Sequence, residues 1–148
     1  MKQYGLIGFP LSHSFSKRYF KEKFAKENIA NAHYELFPLK QISNFKTLLA
    51  AHPKLAGLNV TIPYKLAIFD YLDEIDEAAA AIGAVNTITF RSGKLKGYNT
   101  DAYGFQSSLV RFLNMSTKDL RSMKALVFGT GGAAKAVVYT LKQLQINY

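Results

Sequence analysis

Lys65 closes the segment GLNVTIPYK (57–65), where an apolar run from Leu55 to Val60 meets Thr61 and then Pro63. Proline lacks an N–H and pushes the residue before it away from helical geometry, so a strand stops here and the chain turns. Asn59, Thr61 and Lys65 are thereby gathered at a strand end. Two neutral hydrogen-bonding side chains and one ionisable amine suit a small polyhydroxylated ligand, and the amine could move a proton. Asp101, in GYNTDAYG, is a carboxylate that could pair with Lys65 and share in that transfer. Asn99, Thr100 and Asp101 could equally form a turn with a helix cap. Spacing does not choose between the two.

Ser14 and Ser16 lie in GFPLSHSFS, just past the first apolar run. Hydroxyls two apart at a helix start can bind an anion together with free backbone N–H groups, and either could instead simply cap the helix. His13 lies between them and the strand, where a structural role outweighs catalysis. His33 and His52 have no partner at metal-like spacing. Asn86, in GAVNT, opens another strand. The polar groups at 14–16, 59–65, 86 and 99–101 thus all fall at strand ends. In open α/β sheets ligands bind beyond the carboxyl ends of strands.

Gly129, Gly131 and Ala134 match G-x-G-x-x-G/A after a short apolar run and before a helix. The first glycine permits a tight turn and the second lets backbone approach a pyrophosphate. The third position packs helix on strand, and the helix N-terminus faces the anion. A plain glycine turn is the alternative. The residue that would choose between NAD and NADP lies beyond a second strand of such a unit, so this motif does not name the nucleotide.

These residues need a scaffold. Apolar runs predict strands at Tyr4–Gly8, His33–Phe37 and Leu55–Val60, alternating with helices from Ser14 or Ser16 to Asn28 and over Gln41–Ala51. Such alternation argues for βαβ units and a mostly parallel sheet. A short helix follows Pro63, and Ile75–Ile82 reads as an alanine-rich helix. Ala84–Arg91 and Lys94–Tyr98 form a hairpin about Ser92 and Gly93, which makes the sheet mixed. Asp101–Asn114 reads as a helix leading away. Lys124–Phe128 is a strand feeding the glycine turn, and Ile146–Tyr148 begins another. The expected class is α/β: a mixed-sheet substrate-binding domain over residues 1–101, then a linker helix and the first βα unit of a Rossmann domain over 102–148. One βα unit cannot bury both faces of its sheet, so the sequence reads as part of a longer protein.

With 49% hydrophobic and 20% charged residues the chain is globular, not disordered. The absence of cysteine excludes disulfides and thiolate metal sites. No run approaches the ~20 apolar residues of a membrane span, and a cytoplasmic location is expected. Net charge is +9, with local density at Lys17, Arg18, Lys21, Lys23 and Lys26. That density reads as a solvated helix face, or as a weak field drawing an anionic substrate or cofactor. No recognition motif accompanies it, so nucleic acid is not an expected partner.

In order and spacing, GFPLSHSFS, GLNVTIPYK, GAVNT, GYNTDAYG and GTGGAAKA resemble the shikimate dehydrogenase family, from Tyr4 to the last residues. The resemblance implies reversible reduction of 3-dehydroshikimate to shikimate with NADPH, in aromatic amino-acid biosynthesis. It implies that Ser14 and Ser16 hold the substrate carboxylate, that Asn59, Thr61 and Asn86 line its hydroxyl side, and that Lys65 and Asp101 are the catalytic pair. Gly129, Gly131, Gly132 and Ala133 match the turn under the cofactor pyrophosphate. Lys17 and Phe20 depart from the proline and histidine usual in the family. Family members continue well past position 148, so the chain alone is expected to have little or no dehydrogenase activity. Two other readings are a quinate/shikimate dehydrogenase that can use NAD, and a non-catalytic shikimate-binding module. The oligomeric state, monomer or homodimer, is left open.

Overall fold

The computed structural model describes residues 1–114 and 120–148. Its first part alternates strand and helix: β1 (Lys2–Gly8), α1 (Ser16–Lys26), β2 (Ala32–Pro38), α2 (Phe45–Ala51), β3 (Leu55–Val60) and α3 (Tyr64–Ala67). Then come β4 (Glu74–Ile75), α4 (Glu77–Ile82), β5 (Thr87–Arg91), β6 (Lys94–Tyr98), α5 (Asp101–Leu113) and α6 (Gly132–Gln143). Among the described residues the strands form one six-stranded sheet in the order β2-β1-β3-β5-β6-β4. β1 pairs in parallel with β2 and β3, whereas β5 runs antiparallel to both β3 and β6. The sheet is therefore mixed, as the hairpin requires.

Alternation along the strands divides the apolar residues between two faces. Ile7, Phe37, Leu58, Val60 and Ile88 join Phe45 and Ile68 in the main core, with Ile7, Phe45, Ile68 and Ile88 wholly buried. On the other face Leu6, Leu11 and Tyr34 pack with Phe20 and Phe24 of α1. α1 covers only part of this face. Beside it lies a trough of about 1130 Å³, bounded by Tyr4, Phe24, Leu58 and Thr89 and reaching Asn59 and Thr87.

α5 and α6 build a second cluster, in which Leu120, Leu141, Leu144 and Ile146 bury Leu109, Val127 and Val137 against them. A small seam of Ile82, Ala84, Ala102 and Ala136 joins α6 to α4 and α5. Alanines let the elements approach closely there. Beside the seam, the single proton of Thr140 Oγ1 has two carbonyls in reach, that of Ala102 at 3.2 Å and that of Ala136 at 3.0 Å. No helix among the described residues is long and apolar enough to cross a membrane.

Several element boundaries differ from expectation for local reasons. Ile75 belongs to strand β4, and the helix begins at Glu77, because Asp76 is extended and its carboxylate accepts the Ala78 N–H at 3.1 Å. Residues Ile42–Asn44 make a 3₁₀ turn before α2, and α1 stops at Lys26. The hairpin strand starts at Thr87, since the Val85 N–H turns aside to the Lys65 carbonyl at 2.8 Å. Lys124–Phe128 is not a strand: a single parallel bridge joins Lys124 to Asn147, and the Ala125 N–H donates to the Asn147 carbonyl. A strand needs a partner along its length, and Asn147 supplies only one rung. The extended alternation survives, with Ala125 and Val127 partly buried and Leu126 and Phe128 exposed.

Candidate active site

The ends of β1 and β3, the start of β5 and the end of β6 meet at one edge of the sheet. Register sets this: Leu6 lies beside Asn59, Asn59 opposite Thr87, and Thr87 opposite Tyr98. Beyond Val60 the chain passes Thr61 and Pro63 and enters α3, which carries Lys65. Beyond Tyr98 it passes Asn99 and Thr100 into α5, which opens with Asp101.

Lys65 Nζ donates to Asp101 Oδ2 at 2.5 Å. The lysine side chain is only 16% exposed and the aspartate 37%, so the amine is sheltered and the carboxylate partly reachable from solvent. The other carboxylate oxygen, Oδ1, accepts from Asn86 Nδ2 at 2.7 Å. Asp101 also sits in the first turn of α5, where unpaired N–H groups favour a negative charge. Lysine, amide and helix end together hold one ionised carboxylate in one orientation.

Asn86 is the hub behind this arrangement and is buried. Its second amide proton goes to Thr100 Oγ1 at 3.0 Å, and its Oδ1 accepts from the Thr100 N–H at 2.9 Å and from Thr87 Oγ1 at 3.0 Å. Both amide protons are thus spent within the protein. The geometry gives Asn86 the work of placing Asp101 and Thr100.

The choice between capping and chemistry at 99–101 dissolves once the atoms are placed. Asn99 does the capping, accepting the N–H groups of Asp101 at 3.0 Å and Ala102 at 3.3 Å. Its own Nδ2 is anchored on the Ala84 carbonyl at 2.8 Å. Because the neighbour caps the helix, the Asp101 carboxylate is left for Lys65.

On the far side, Asn59 Oδ1 accepts from the Tyr34 hydroxyl at 2.8 Å, and its Nδ2 faces Thr87 Oγ1 at 3.3 Å. Tyr34 is buried and stacked on Phe20, with ring centroids 4.3 Å apart. Burial pushes the Tyr34 hydroxyl well above the ordinary tyrosine range, and the nearby Ser16 hydroxyl pulls the other way. Tyr34 thereby links Phe20 of α1, through the ring stack, to Asn59 on β3. Ser14 Oγ accepts the Ser16 N–H at 3.3 Å, and no side chain caps the helix at Phe15. Thr61 follows β3 directly, with its N–H on the Ile7 carbonyl.

Sequence reasoning missed Tyr34. It stands in a strand that reads only as alternation, and nothing in AHYELFP marks one hydroxyl as part of a site. Thr87 and Thr100 were visible inside their motifs but carried no role of their own. His13 is exposed on the turn before α1. His52 packs against Phe37 and faces Gln3 Oε1 at 3.3 Å, so it serves the fold. Among the described residues no group of histidines and carboxylates could hold a metal ion.

The glycine turn has the form a dinucleotide needs. Gly129 has φ +110°, a conformation that disfavours any side chain. Gly131 is extended and starts α6 without a side-chain cap, and a Cβ placed on it would meet nothing within 4 Å. Gly131, just before the first turn of a twelve-residue helix, is uncrowded, and a helix N-terminus of this kind suits a pyrophosphate.

Residues 6–88 match the family model described as the shikimate dehydrogenase substrate binding domain. A curated shikimate dehydrogenase (NADP(+)) of Bacillus cereus is 41% identical over 154 aligned positions, covering 99% of this chain and 52% of that protein. The crystal structure of shikimate dehydrogenase 1 from Peptoclostridium difficile superposes with a TM-score of 0.86 at 38% identity, covering 99% of this chain and 54% of the other. Shikimate 5-dehydrogenase from Thermus thermophilus, solved with NADP(H) and shikimate, superposes at 0.80 with 30% identity, again over 99% of this chain and 54% of that one. The chain spans about half the length of the curated relatives it matches. The strand-end cluster about Lys65 and Asp101, the six-stranded mixed sheet and the family match over 6–88 agree: this chain belongs to the shikimate dehydrogenase substrate-binding-domain family.

Proposed function

We propose that this chain supplies the substrate-binding and proton-transfer part of an NADP-dependent shikimate dehydrogenase, which interconverts 3-dehydroshikimate and shikimate. Residues 1–101 form the substrate unit, and 102–148 bring the first turn of the nucleotide site against it. The observation that carries this reading is the Lys65–Asp101 pair, half sheltered at the strand ends. Lys65 gives a proton to the substrate oxygen on reduction and accepts one on oxidation, and Asp101 holds its ammonium in line. Asn86 fixes Asp101, and Tyr34 fixes Asn59. Ser14 and Ser16 hold the substrate carboxylate beside Thr61 and Asn59. Gly129, Gly131 and Ala133 cradle the pyrophosphate, and the bound nicotinamide supplies or accepts the hydride.

Shikimate titrated into the chain by calorimetry tests the binding half of this reading. Saturable binding that weakens several-fold, and by no more than about tenfold, in Lys65→Ala supports it. No binding by the wild-type chain, or equal binding by Lys65→Ala, counts against it. Quinate in the same cell shows whether an added ring hydroxyl is excluded.

A further inference from the structure

Gly132 opens α6, and the atoms around it belong to the substrate side of the site. A Cβ placed on Gly132 would stand 3.1 Å from Lys65 Cδ and 3.3 Å from both Lys65 Cβ and Ala84 Cβ. Gly131, one residue earlier, would meet nothing within 4 Å. The helix start is thus open at 131 and closed at 132. What closes it is the stem of the lysine whose Nζ sits on Asp101.

The same helix also reaches the second member of the pair. Ala136 packs with Ala84 and Ala102, and Thr140 Oγ1 donates to the carbonyl of Ala102, the residue after Asp101. α6 therefore touches the Lys65 stem at its first residue and the helix bearing Asp101 two turns later. Contact at both points gives the pair a backstop that is rigid along its length.

We propose that Gly132 is a positioning residue for Lys65. Its missing side chain lets α6 seat against the lysine stem, and that seating aims Nζ at Asp101. The meaning for catalysis rests on the reading of Lys65 given above, while the placement of the lysine stands without it.

The test uses the whole 148-residue chain with isotope-labelled lysine. The ammonium signal of Lys65 is assigned by its absence in Lys65→Arg. Gly132→Ala is expected to shift that signal and to weaken shikimate binding about tenfold, the loss of one charge-assisted hydrogen bond. Alanine is the better helix former, so propensity alone would make this variant more stable and leave Lys65 unmoved. Gly131→Ala is expected to leave the Lys65 signal in place. Adding Ala84→Gly to Gly132→Ala frees space beside the new methyl and is expected to return part of the shift.

An unmoved Lys65 signal in folded Gly132→Ala overturns the proposal. So does an equal shift in Gly131→Ala, or no recovery in the double variant. Loss of the fold in both Gly132 variants overturns it too, since the glycine would then serve packing at large. If the wild-type chain binds no shikimate, the functional reading fails while the signal of Lys65 still decides this one.

Discussion

Lys65 Nζ lies 2.5 Å from Asp101 Oδ2, across 36 residues of sequence and between two different helices. The surface pair Lys17–Glu35 differs at the lysine, which is 52% exposed against 16% for Lys65, while the carboxylate side chains are alike at 39% and 37%. Shelter from water strengthens the first pair and ties it to the fold.

That difference is measurable by double-mutant cycles in urea. Lys65→Met and Asp101→Asn are expected to couple by about 1–3 kcal/mol, while Lys17→Met and Glu35→Gln couple by about 0.5 kcal/mol or less. Equal couplings would mean that the inner pair is solvated like the outer one.

A role in proton transfer separates turnover from affinity. In a chimera where this chain replaces the matching half of a full-length relative, Lys65→Ala is expected to lower kcat by roughly 10²–10⁴-fold. The shikimate KM should change by no more than about tenfold. A collapse of affinity with turnover intact would make Lys65 a binding residue only.

Asn86 satisfies Asp101, Thr100 and Thr87 at once from a buried position. Asn86→Ala leaves several of these groups without partners and is expected to cost about 3 kcal/mol in urea unfolding. Asn86→Asp should cost at least as much, because it sets a second carboxylate against Asp101. A loss under about 1 kcal/mol would show that water replaces the amide easily.

Tyr34 gives the site a dependence on alkaline pH. Burial holds its hydroxyl protonated in the folded state beyond the pH at which an unfolded tyrosine ionises, about 10. The folded state then binds the proton more tightly. Stability from this group is intact below about pH 10 and is lost as pH rises toward the higher folded value. Tyr34→Phe keeps the stack on Phe20 but loses the bond to Asn59, at a cost of about 1 kcal/mol near neutrality. The stability advantage of wild type over Tyr34→Phe is expected to shrink as pH rises from about 10 to about 11. A constant gap over that range would show that the hydroxyl ionises as freely folded as unfolded.

Much of this molecule was legible in one dimension. The alternation of apolar runs with amphipathic segments foretold β1 to β3 with their helices, since each face of strand or helix must find apolar cover. Pro63 ended β3 where expected, and Ser92 and Gly93 turned the hairpin. The polar clusters were expected at strand ends, where backbone gives way to loops, and Asn59, Asn86, Thr100 and Asp101 do lie there. Local chemistry also decided boundaries that a period count blurs, as at Asp76.

Other relationships exist only in three dimensions. That Asn99 caps α5 and so releases Asp101 depends on the path of three consecutive residues, which composition does not encode. Tyr34 meets Asn59 through strands that lie apart in sequence but flank β1 in space. Gly132 reads as one more glycine of a nucleotide turn, and only the packing of α6 on Lys65 shows what a side chain there would strike. Sequence specifies which groups are present and which way each element must face. The distances that turn a lysine and an aspartate into a pair come from close packing between elements remote in the chain.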